Sequence, residues 1–80
     1  MPPSERPSPR ELADQLHDAI YRGNDQRVAE LLSAGADPRL PYLRTGWEAL
    51  EIAEALEIER PGRWKGIIRQ IEEAKRRLGS

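Results

Sequence analysis

The groups in this chain with which chemistry could be done are few: one histidine, His17, three glutamates three residues apart, Glu48, Glu51 and Glu54, and the glycines Gly62 and Gly66. His17 is the only side chain that titrates near neutrality. A single imidazole supplies one metal ligand, and without cysteine there is no thiolate to complete a site. Glu48 and Glu51 fall on one face of a helix, where an acid pair can serve glycoside cleavage or hold a hard cation. The ordinary use of such spacing is a solvated helix face, and that is the expectation here. Gly62 and Gly66 lack the spacing of a phosphate loop, and no Lys-Ser or Lys-Thr follows them. The residue types therefore predict no enzyme, no cofactor and no bound metal.

The elements that must position these residues read as helices. Ser8-Pro9-Arg10-Glu11 is a helix start: serine caps, proline occupies the first turn without losing a hydrogen bond, and glutamate closes a capping box. Leu12, Leu16, Ala19 and Ile20 then form the stripe of a first helix that stops at Gly23. Asn24 caps a second, lined by Val28, Leu31 and Leu32. Leu31-Leu32-Ser33-Ala34-Gly35-Ala36-Asp37 ends it, with Gly35 free to adopt the left-handed backbone and Asp37-Pro38 forcing an extended turn. Thr45 and Glu48 mark a third helix with Trp47, Leu50, Ala53 and Leu56 inward. A fourth is expected from Pro61, with Trp64, Ile67, Ile68, Ile71, Ala74 and Leu78 on one stripe. Residues 57–62 read as a long connection before it. The expected fold is all-α, two antiparallel helix pairs side by side.

At Leu16-His17-Asp18-Ala19 and at Gly35-Ala36-Asp37 the chain resembles the ankyrin-repeat family, whose unit of about 33 residues is a turn followed by two helices, opening on Thr-Pro-Leu-His-x-Ala. Leu16, His17 and Ala19 stand at the family's Leu, His and Ala. Gly23 is the interhelix glycine, and Val28, Leu31 and Leu32 are second-helix core. A second unit keeps Gly46, Leu50 and Ala53, but Glu48-Ala49 replaces Thr-Pro, Glu51 replaces the histidine, and no Gly-Ala-Asp follows. The resemblance implies a single ankyrin-like domain over residues 9–80, with repeat one about 9–41 and repeat two about 42–78; before it, residues 1–8, proline-rich and without apolar periodicity, are expected to form a disordered arm. The resemblance implies further that the His17 ring bonds backbone in the turn.

What the family resemblance implies for function is protein binding, through turn tips and first-helix ends held on a rigid scaffold. Carried onto this chain, those places hold Tyr21, Arg22, Tyr42, Leu43, Arg44, Thr45 and Trp47, with Ala55 and Leu56 at the end of the third helix. Aromatic residues and arginine are the types that dominate binding hot spots. Trp47 remains open between core plug and binding anchor. Two repeats are fewer than such stacks need, so either the long fourth helix acts as a cap or the open end is covered by a second copy, in a homodimer, or by a larger partner.

Composition narrows the partner class. Net charge is −1, which gives no overall attraction to nucleic acid or anionic lipid. The charge is nonetheless uneven: residues 1–56 hold six Arg or Lys against ten Asp or Glu, and 57–80 hold seven against four. The basic last helix, with Arg60, Arg63, Lys65, Arg69, Arg76 and Arg77, carries the alternative reading of a nucleic-acid binder. Glu72 and Glu73 interrupt that surface, so nucleic acid is the weaker partner and a protein the expected one. No apolar run approaches the roughly 18 residues of a membrane span, no signal-peptide core begins the chain, and cysteine is absent; the expectation is a cytoplasmic protein without a membrane partner.

Overall fold

A computed structural model describes residues 8–42 and 44–79, and these are all-helical, with no strand among them. Helix α1 spans Pro9–Arg22, α2 Asp25–Ser33, α3 Ala49–Glu59 and α4 Lys65–Gly79. The expected N-terminal arm, apart from its last residue, Ser8, lies outside the described residues.

The first helix pair forms as its local chemistry demands. Ser8 Oγ accepts the Glu11 N–H at 3.2 Å and donates to Glu11 Oε1 at 3.3 Å, with Pro9 in the first turn. At the other end Gly23 sits at φ 68°, the left-handed region. Its N–H donates to the Ile20 carbonyl and that of Asn24 to the Ala19 carbonyl, both at 3.0 Å, so two carbonyls left over by the helix are satisfied. Asn24 then accepts the Arg27 N–H at 3.1 Å and starts α2. That helix closes in the same way: Gly35 has φ 104°, and Ala36 and Gly35 donate to the Leu31 and Leu32 carbonyls at 3.0 and 3.1 Å. A Cβ at Gly35 would meet nothing within 4 Å, so the backbone conformation alone opposes a side chain there. Gly35→Val is expected to lower stability by about 1–3 kcal/mol, read from the urea midpoint; an unchanged midpoint would remove this helix end from the account.

The second pair departs from the sequence reading in several places. Helix α3 starts at Ala49, behind Glu48, whose N–H donates to Glu51 Oε1 at 3.0 Å; Thr45 belongs to the preceding turn. Its inward face is Ala49, Ile52 and Ala53, with Leu50 and Leu56 half-buried and Trp47 outside the helix at 48% exposure. The expected long connection at 57–62 is shorter, because α3 runs through Glu59. Helix α4 starts at Lys65 instead of Pro61 because Glu57 reaches across the connection: its carboxylate accepts the N–H of Gly62 at 2.7 Å and of Trp64 at 2.9 Å, holding Pro61 and Gly62 in a turn. Along α4, Ile67, Ile71 and Ala74 are buried, Ile68 is half-buried, and Leu78, expected inward, is 46% exposed.

Packing joins like with like. Helix α1 packs on α2 within the first pair and on α3 of the second, while α4 packs on α3 and on α2. The four helices enclose one core of Leu16, Ile20, Val28, Leu31, Ile52, Ile67, Ile71 and Trp64. Each large aliphatic chain so buried contributes roughly 1.5–3 kcal/mol. Trp64 is the closing piece: 3% exposed, it donates from Nε1 to the Ile20 carbonyl at 2.6 Å, tying the α3–α4 connection to the end of α1.

Candidate functional site

The residues singled out for binding depend on the segment between α2 and α3, and that segment is held by a series of polar contacts. Asp37 shapes its first turn: Oδ1 accepts the Arg39 N–H at 2.9 Å and Nε at 3.0 Å, and Oδ2 accepts Nη2 at 3.1 Å. These bonds from Arg39 hold the Asp37 carboxyl below the usual carboxylate range. Arg10 Nη1 donates to the Pro41 carbonyl at 3.3 Å and fastens the segment to the first turns of α1. The tip then closes on itself. The Tyr42 N–H donates to the Trp47 carbonyl at 2.8 Å, the Tyr42 carbonyl accepts from Gly46 at 2.6 Å and Thr45 at 3.2 Å, and Thr45 Oγ1 accepts the Trp47 N–H at 3.2 Å. Gly46, at φ 77°, makes that reversal without strain.

This turn lays the Tyr42 ring against α1. Its centroid lies 5.0 Å from that of His17 and 6.0 Å from that of Tyr21, a three-ring row in which His17 is the innermost member and Tyr21 the outermost. His17 is fully buried, Tyr42 half-buried and Tyr21 44% exposed. Aromatic contacts at such separations contribute about 0.5–1.5 kcal/mol beyond the area they bury. Trp47 is 48% exposed and joined to Tyr42 through backbone, so the core-plug alternative for Trp47 does not hold. Arg44 is exposed at the tip.

His17 does not behave as the resemblance implied. Neither buried ring nitrogen meets a partner with full hydrogen-bond geometry, and the backbone group that acts on the ring is the Ala13 carbonyl of its own helix, not one in the turn. Burial pushes its pKa below the ordinary imidazole value; the Ala13 carbonyl and Asp14 act in the opposite direction, and Arg10 adds a little to the lowering.

The remaining candidates separate. Arg22 leaves the aromatic row: its Nε pairs with Asp18 at 3.0 Å, and it lines an open polar groove of about 690 Å³ with Asn24, Asp25 and Arg63. Ala55 and Leu56 are half-buried on α3. Leu43 lies outside the described residues. Glu48 and Glu51 are occupied in starting α3, and Glu48 also meets Lys75 Nζ at 3.6 Å, which ties α4 to that helix start. Among the described residues there is no group of three or more His, Cys, Asp or Glu placed to hold a metal ion, and no helix long and apolar enough to cross a membrane.

Two long-range contacts, one in the candidate site and one in the core, have no signal in the sequence. Tyr42 meets His17 across 25 positions and Trp64 meets Ile20 across 44, and neither separation follows from any local pattern. No protein-family model, curated protein or solved structure matches this chain.

Proposed function

We propose that this domain is a protein-interaction module built as two stacked ankyrin-like repeats, and that it binds a protein partner through the turn at 42–47 and the end of α1. The carrying observation is the turn itself: a self-bonded tip that presents a 48% exposed Trp47 and the exposed Arg44 beside the Tyr21–Tyr42 pair. Exposed aromatic rings on a self-bonded turn bring large contact area with few rotors to immobilise, which is what binding hot spots require. The packing of α1 on α3 and of α2 on α4 agrees with repeat stacking, and the glycine-closed ends of α1 and α2 fit its punctuation.

The test compares variants that leave the fold alone. Trp47→Ala and Arg44→Ala are expected to unfold within about 0.5 kcal/mol of the parent, since neither side chain is part of the core. Each is expected to weaken partner binding by about 1 kcal/mol or more. Tyr42→Ala is a poorer probe, because the ring also covers buried His17. The partner is obtained by affinity capture from the native host, and affinities are then measured for each variant by calorimetry. If Trp47→Ala and Arg44→Ala bind like the parent while Arg69→Glu on α4 abolishes binding, the surface is the basic helix, and an affinity falling steeply with salt would mark the partner as nucleic acid.

A further inference from the structure

A fully buried imidazole with neither nitrogen in full hydrogen-bond geometry, stacked on the residue that seats the exposed turn, is an unusual thing to build into a small core. Neutral imidazole can occupy an apolar site with its hydrogen-bonding capacity unmet at moderate cost; for the imidazolium the Ala13 carbonyl and Asp14 offset only part of the cost of burial, which is the larger effect. We propose that His17 is a pH-sensitive latch: neutral, it seats the Tyr42 ring and with it the 42–47 turn against α1, and protonated, it releases that turn and disperses the Tyr21–Tyr42 pair.

The surroundings leave the charged ring little help. On its own helix the Ala13 carbonyl and Asp14 favour the charged ring and Arg10 opposes it, and burial outweighs the help. The segment between α2 and α3 contributes the Tyr42 ring, an aromatic contact. The side chains that α2 and α3 bury are apolar: Val28 and Leu31 from one, Ala49, Ile52 and Ala53 from the other. The least fixed neighbour is the turn. Among the described residues it is held to α1 by the ring contacts and by an exposed bond from Arg10 to the Pro41 carbonyl, whereas the helices around His17 are joined through the whole core.

The sign follows from the direction of the shift. An unfolded or released His17 titrates near 6.5 and the seated ring below it, so the proton is taken up preferentially by the released state. Seating is complete above about pH 6.5 and is lost as pH falls through the lower value. Asp37, also shifted down, withdraws its own contribution only as pH falls below the ordinary carboxylate value near 4, a separate window.

The latch is read on the protein alone; its consequence for the partner rests on the surface proposed above, so failure of either reading leaves the other measurable. Because the chain holds one histidine, its ring signals in NMR are unambiguous. In a titration of the full chain from about pH 7.5 to about pH 5, the His17 ring is expected to titrate below the ordinary imidazole value near 6.5. The His17–Tyr42 and Tyr21–Tyr42 ring cross-peaks should vanish on the same curve while the amide signals of α4 stay dispersed. In His17→Leu, which keeps an apolar group at the site and removes the proton, the Tyr21–Tyr42 cross-peak is expected to persist across the range. Cross-peaks that survive protonation in the parent would overturn the latch. So would collapse of the α4 signals together with the turn, or the same pH-dependent loss in His17→Leu. Should His17→Leu fail to fold, the titration of the parent chain decides alone.

Discussion

Replacing Trp64 by alanine is expected to destabilise the domain by about 3–5 kcal/mol, the usual range for deleting a buried aromatic ring. The ring is 3% exposed and belongs to the same core as Ile20, Ile67 and Ile71, so its removal leaves a cavity where the α3–α4 connection meets α1. The Ile20 carbonyl keeps its bond from the Gly23 N–H, so the loss is mainly packing and only secondarily an unmade hydrogen bond. Trp64→Phe separates the two: it retains most of the ring, loses the indole donor, and should cost about 1–2 kcal/mol. For 80 residues the total stability is on the order of 4–12 kcal/mol, so Trp64→Ala should leave a large unfolded fraction in thermal melts followed by circular dichroism. A melting temperature within a few degrees of the parent would mean that the α3–α4 connection does not close the core.

Gly23 is the second position where a small change should have a large effect. At φ 68° any β-carbon is strained, and this one would also lie 2.6 Å from Arg63 Nε and 3.2 Å from Trp64 Cζ2. Arg63 is exposed and can swing away; Trp64 is buried and cannot. Gly23→Ala therefore combines backbone strain of about 1–2 kcal/mol with overpacking of about 1–3 kcal/mol. Gly23→Asn is the control, because asparagine tolerates the left-handed region but still brings a β-carbon against Trp64. Chemical denaturation of the two variants apportions the effect: equal losses place it in the contact with Trp64, and a stable Asn variant places it in the backbone alone.

What could be read from the residues, and what could not, divides by range. The starts and stops of α1 and α2 were legible because they are decided within a few residues: Ser8 with Pro9, Asn24 after Gly23, and Gly35 at positive φ each act through local geometry. The phase of α3 was not. With Ile58 opposite them, Ala49, Leu50, Ile52, Ala53, Ala55 and Leu56 spread apolar groups widely round the helix, and Ile52 is buried more deeply than Leu50 through the packing of α3 on α1 and α4. The start of α4 was misplaced because Pro61 is a good first-turn residue by itself, and its exclusion depends on Glu57 bonding Gly62 and Trp64. In the candidate site, Tyr21, Tyr42 and Trp47 stood out by residue type. That Arg22 turns away to Asp18, and that Tyr42 rests on His17, depends on tertiary contacts.

The central claim is that the turn at 42–47 and the end of α1 make the partner surface, and amide hydrogen exchange of the full chain with and without the captured partner tests it most directly. Slowed exchange is expected at Arg44, Thr45, Gly46 and Trp47 and in the last turn of α1, with α4 unchanged. Protection confined to residues 65–79, with the turn exchanging as in the free protein, would contradict it.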